Sequence, residues 1–113
     1  MERMSENPAL LARIVLSTAG STEEASRISR ELVEQRLAAC VNCLPGMTSV
    51  YRWQGAIEES AEVLLIIKTS AEKLSALEAA LREAHSYEVP EFVVLQVAAG
   101  SQSYLDWLLA AVK

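Results

Sequence analysis

His85, Tyr87, Glu88 and Glu91 lie within the seven-residue stretch HSYEVPE, and His85 is the only histidine of the chain. An imidazole beside two carboxylates and a phenol has the makings of a general acid or of a soft metal ligand. The same position has a plainer use. A histidine at the C-terminal end of a helix caps the last carbonyls, where a cation is favoured. One histidine cannot close a zinc site within a single chain, whereas ligands from another subunit could complete one.

The second candidate is CVNC, Cys40 and Cys43. A redox CxxC pair sits at a helix N-terminus, which lowers the thiol pKa. Here the pair follows a helical pattern and runs into Leu44-Pro45-Gly46, so a strand carries it. Residues three apart on a strand face opposite sides, with Cα atoms about 10 Å apart. A disulfide cannot span that distance. The pattern therefore predicts two separate thiols, buried as small apolar groups and slow to react. Tyr51, Arg52 and Trp53 follow. They are suited to lining a pocket or to anchoring a subunit contact. Lys68 ends an apolar strand and must reach solvent or a carboxylate, with Glu91 the expected partner. No Ser/His/Asp arrangement and no phosphate-binding glycine loop has a local signature here, so no catalytic residue is assigned.

Elements must position these groups. Leu10 to Thr18 is apolar and β-branched, which predicts a strand. Ser21 and Glu24 form a capping box, and Ala25, Ile28, Leu32, Val33 and Leu37 recur at helical spacing over about four turns. A second strand runs from Ala38 through a bulge at Pro45-Gly46 to Trp53, with a turn at Gln54-Gly55. Glu62 to Thr69 is apolar on both faces and belongs mid-sheet. Ser70 is expected to cap a second helix that stops near His85, before Pro90. Glu91 to Ala99 reads as a fourth strand, and a last helix carries Leu105, Leu108, Leu109 and Val112. The order β-α-β-β-α-β-α predicts a ferredoxin-like α+β sandwich, a split βαβ sheet with helices on one face.

Length bounds the rest. The chain has 113 residues, enough for one domain, here 10–113 after a flexible tail 1–9. It is 51% hydrophobic and only 22% charged, more than one small core needs, so partner copies are expected to cover the second sheet face. The net charge of −5 leaves no basic stripe for nucleic acid. No apolar run is long enough for a membrane span or a signal peptide, and two unpaired thiols suit the cytoplasm.

Six stretches in order, RLAACVN (36–42), LPG (44–46), YRWQGAIE (51–58), EVLLIIKT (62–69), HSYEVPE (85–91) and YLDWL (104–108), together resemble the CutA family of divalent-cation tolerance proteins. The resemblance spans about residues 12–112. It implies a cytoplasmic homotrimer with the architecture of the PII signalling proteins, long second and third strands, and no settled enzymatic reaction. It implies an inter-subunit cleft ringed by Tyr51, Trp53, Lys68, Tyr87 and Glu91. His85 would be a ligand for copper or another weakly bound divalent cation. The ligand positions Ser17 and Ala84 depart from the copper-binding pattern, and Ser86 stands where the family's HPYExPE motif has proline. Two alternatives remain open: a PII-like sensor of a small anionic metabolite or nucleotide, and a stable assembly protein without catalysis.

Overall fold

Alternation along the first strand decides the layering. Val15, Ser17 and Ala19 are fully buried, and their register partners Ile67, Leu65 and Val63 lie beneath the same helices. The intervening Ile14, Leu16, Leu64 and Ile66 face the other way and are only half-buried. One sheet face therefore has a core of its own and the other is largely open.

The computed structural model describes residues 7–113. The chain runs β1 (Ala12–Ala19), α1 (Thr22–Glu34), β2 (Cys40–Trp53), β3 (Ala56–Ser70), α2 (Leu74–Ala84), β4 (Val93–Gln96) and α3 (Gln102–Ala111). The sheet order is β2-β3-β1-β4, with every neighbour antiparallel. That is the split βαβ topology of the ferredoxin-like α+β fold. Helices α1 and α2 cover one face through Ile28, Leu32, Leu77 and Leu81. Full burial of each such side chain contributes about 1.5–3 kcal/mol. Helix α3 covers one end of the opposite face, where Leu105 and Leu108 pack on Ala9 and Ala12. No described helix is long and apolar enough to cross a membrane.

Local chemistry explains most of the boundaries. The Ser21 hydroxyl accepts from the Glu24 amide at 3.1 Å and starts α1. Arg36 ends the helix at φ 59°, a left-handed position that glycine usually fills. Gln54 and Gly55 have φ of 50° and 85°, as a two-residue primed hairpin turn requires. The bulge falls between Leu44 and Met47, with Gly46 at φ 84°.

The structure differs from the sequence reading at four points. Residues 1–6 of the expected tail lie outside the described residues, but Pro8 and Ala9 are buried in a 3-10 turn capped by Asn7. Ser70 makes no capping bond: a 3-10 turn, Ala71–Lys73, precedes α2, and the Ser70 hydroxyl is buried without a partner. Strand β4 has only four residues, because its pairing with β1 covers only Val93 to Gln96. Strand β3 begins at Ala56, six residues before its apolar run, as the inner arm of a long hairpin.

Candidate functional site

Beyond the bulge, strands β2 and β3 continue as a ribbon. Register sets Ser49 opposite Ser60, Tyr51 opposite Glu58 and Trp53 opposite Ala56, all on the face that carries Glu62. The segment after α2 folds over the base of this ribbon. Together they bound a cleft of about 470 Å³ lined by Thr18, Tyr51, Trp53, Glu62, Tyr87 and Glu91, with Ser49 and Glu88–Pro90 completing the wall. Its side chains supply aromatic rings and carboxylates and no cation.

Hydrogen bonds hold that segment. The Tyr87 hydroxyl donates to Glu62 Oε2 at 2.8 Å. Burial, followed by the adjacent Glu62 carboxylate, pushes the Tyr87 phenol well above its ordinary range, so it stays a donor. The Ser17 hydroxyl donates to the Glu91 carbonyl at 2.7 Å and ties the segment to β1. Gly20 passes so close that a Cβ there would lie 3.2 Å from the Tyr87 hydroxyl.

His85 stands behind Tyr87, with no exposed side-chain surface. The Tyr87 amide can only donate, so Nδ1, at 3.1 Å, is its acceptor. Nε2 therefore carries the proton and donates to the Thr18 carbonyl at 2.6 Å. The Tyr87 ring lies tilted against the imidazole, centroids 4.6 Å apart. Glu24 reaches in from α1. Its carboxylate accepts from the Ser86 amide at 2.8 Å and from the Gly20 amide at 3.4 Å, and lies 3.6 Å from Nδ1. Burial opposes the Glu24 charge, but the Ser86 and Gly20 bonds outweigh it and hold the carboxyl below its usual range. Arg27 caps the end of α2 by donating to the Ala84 carbonyl at 3.0 Å.

This arrangement bears on the expected metal role of His85. Both ring nitrogens are committed to backbone groups, and neither lone pair is free for a metal. Ser17 spends its hydroxyl on the Glu91 carbonyl, and Ala84 has no donor atom. The residues at the copper positions therefore do not fit copper. Among the described residues, no three His, Cys, Asp or Glu side chains of one protomer come together to hold a metal ion.

Tyr51, Trp53, Tyr87 and Glu91 share the cleft, but Lys68 does not. It lies six residues beyond Glu62 on β3, about 20 Å away at strand rise, and donates to Asn42 Oδ1 at 2.6 Å instead of pairing with Glu91. The cysteines do face opposite ways: Cys43 Sγ lies 3.1 Å from the Ser29 hydroxyl of α1, whereas Cys40 shares the open face with Asn42. They are not buried as expected. Cys40 is half-buried and Cys43 exposed, because β2 is an edge strand of the sheet.

Sequence reasoning missed Glu62, Thr18 and Glu24 as parts of the site. Glu62 reads as the polar start of a strand and Glu24 as a capping residue. The only hint was a carboxylate at each place where backbone amides or a phenol needed an acceptor.

Comparison with known proteins agrees with this geometry. The family described as CutA1 divalent ion tolerance protein matches residues 13–111. The divalent-cation tolerance protein CutA of Thermus thermophilus is 48% identical over 98 residues, 87% of this chain and 95% of that protein. The crystal structure of CutA1 from Oryza sativa superposes with a TM-score of 0.90 at 36% identity, covering 95% of this chain and 98% of that one. A structure from Archaeoglobus fulgidus, described as a periplasmic divalent cation tolerance protein CutA, gives a TM-score of 0.87 at 36% identity over 90% of this chain and 99% of its own. This chain belongs to the CutA divalent-cation tolerance family.

Proposed function

We propose that the chain acts as a cytoplasmic, non-catalytic, homotrimeric binding protein in divalent-cation tolerance, and that its cleft is the ligand site, completed by a neighbouring subunit. The observation that carries this reading is where the cleft lies. It opens on the sheet face that the helices leave bare, and that face offers half-buried Ile14, Leu16, Leu64 and Ile66 to another surface. The exposed edge strand, Val93 to Leu95, continues the same apolar surface. Partner copies would bury both.

Glu62, Glu88 and Glu91 make the cleft acidic, which favours a cationic ligand bound through oxygen donors. The same charges weigh against an anionic metabolite or nucleotide, and Lys68, the expected anchor for one, is engaged elsewhere. A divalent ion held here would be a hard, weakly bound one at Glu88 and Glu91, with its remaining positions filled by the neighbouring subunit or by water.

Sedimentation velocity at micromolar concentration tests the assembly: a trimer is expected, and a monomer would end the reading. Calorimetric titration with divalent ions tests the ligand. Binding should survive His85→Ala and weaken at least several-fold in Glu91→Gln. Loss in His85→Ala with no effect of Glu91→Gln would place the ligand elsewhere.

A further inference from the structure

His85 is buried, neutral and defined in its tautomer, yet it stands one residue from the cleft wall and beside a carboxylate. Nε2–H is tied to the Thr18 carbonyl, so a second proton can enter only at Nδ1. That atom now accepts the Tyr87 amide. A proton there would set donor against donor across 3.1 Å, and the Tyr87 amide would have to leave. The nearest acceptor for the new N–H is Glu24 Oε2, 3.6 Å away and already holding the Ser86 amide.

We propose that His85 is a proton-operated latch on the cleft wall: protonation at Nδ1 exchanges the Tyr87 amide for Glu24 and moves Tyr87, freeing the Tyr87 hydroxyl from Glu62. The connection is mechanical. Tyr87 packs its ring on the imidazole, takes its amide acceptor from the same ring, and places its hydroxyl on Glu62 in the cleft. Moving the amide therefore moves the hydroxyl.

The groups that face the imidazole decide whether the latch can work. From α1 come Glu24, which favours the added proton, and Arg27, 3.9 Å from Glu24, which opposes it. β1 presents the Thr18 carbonyl, which stabilises the imidazolium as it does the neutral ring. β3 contributes Glu62, one side chain removed, through Tyr87. Glu24 is held ionised below the usual carboxylate range, so it is ready to receive the new donor when the ring is protonated. The proton comes from solvent and the exchange swaps one hydrogen bond for another.

The single histidine makes the test direct. The intact protein, labelled with ¹³C and ¹⁵N, is titrated from pH 8 to pH 4.5 without added ligand. At pH 8 the ring nitrogens should report the Nε2–H tautomer. The Tyr87 amide and the Trp53 indole should then shift with the same midpoint as the ring. Glu24→Gln removes the charge but keeps an acceptor for Ser86, and should move the midpoint of the ring to lower pH. In Tyr87→Phe the residue 87 amide should still follow the ring, while the Trp53 indole no longer does. An Nδ1–H tautomer at pH 8, a Tyr87 amide that stays still while the ring titrates, or a midpoint unmoved by Glu24→Gln would each overturn the latch. The measurement uses no ligand, so its failure is separate from failure of the cleft as a binding site.

Discussion

The Tyr87 hydroxyl and the Glu62 carboxylate meet at 2.8 Å across the base of the hairpin, joining the segment after α2 to β3. Glu62 is a carboxylate with only 9% of its surface exposed, so this phenol is a large part of its solvation. Tyr87→Phe keeps the ring against His85 and removes the donor. Losing a bond to a buried charge should lower stability by about 1.5–3 kcal/mol in urea denaturation.

The same pair sets an alkaline limit. The Tyr87 phenol is raised above its ordinary value of 10.0, first by burial and then by Glu62. A raised folded value favours the neutral form, so the contribution is complete below about pH 10 and is lost as pH rises towards the folded value. The wild-type protein should lose stability above pH 10 more steeply than Tyr87→Phe. Parallel slopes in pH-dependent denaturation would refute this.

Glu24 works at the other end of the scale. Its folded value is depressed, so its stabilisation is present above the ordinary carboxylate value of about 4.3 and fades as pH falls through the folded value. Glu24→Ala leaves the Ser86 and Gly20 amides without their side-chain acceptor and should cost about 1–2 kcal/mol at neutral pH. The deficit should shrink in acid, which thermal unfolding at pH 7 and pH 3 can measure.

How much of this was legible before the structure depends on what each residue answers to. Leu65 and Ile67 pack on the helices, while Leu64 and Ile66 lie on the open face. An apolar run on both sides therefore identified a central strand. Ser21 caps a helix wherever it meets the Glu24 amide, a purely local relation. Ala56 to Ala61 is largely exposed and carries no apolar-polar alternation, so its strand is set only by the turn at Gln54-Gly55. The role of His85 was equally hidden. Sequence shows its neighbours Tyr87 and Glu88, but its ring is fixed by the Thr18 carbonyl, 67 positions away.

Thiol chemistry separates the two cysteines. Cys43 is exposed beside α1, and Cys40 is half-buried on the open sheet face. A colourimetric thiol reagent without denaturant should show one fast thiol per chain. That phase should vanish in Cys43→Ala and persist in Cys40→Ala.

Arg36 offers a gain. It is exposed at the end of α1 with φ 59°, where a Cβ is unfavourable. Arg36→Gly should raise stability by about 0.5–1 kcal/mol, the relief of the left-handed conformation less the added chain entropy. A lower melting temperature would show that the guanidinium does something the backbone does not reveal.

The ribbon beyond the bulge carries one more consequence. Residues 47–62 extend a molecule that measures 54 Å by 25 Å by 23 Å, and none of the described helices covers them. Val50 and Ile57 lie 63% and 65% exposed on one side, Tyr51 and Trp53 half-exposed on the other. A lone two-stranded ribbon is marginal in water. In the assembly proposed above, its amide protons would owe their protection against exchange to the partner surface, so that for this arm association and folding would be a single event.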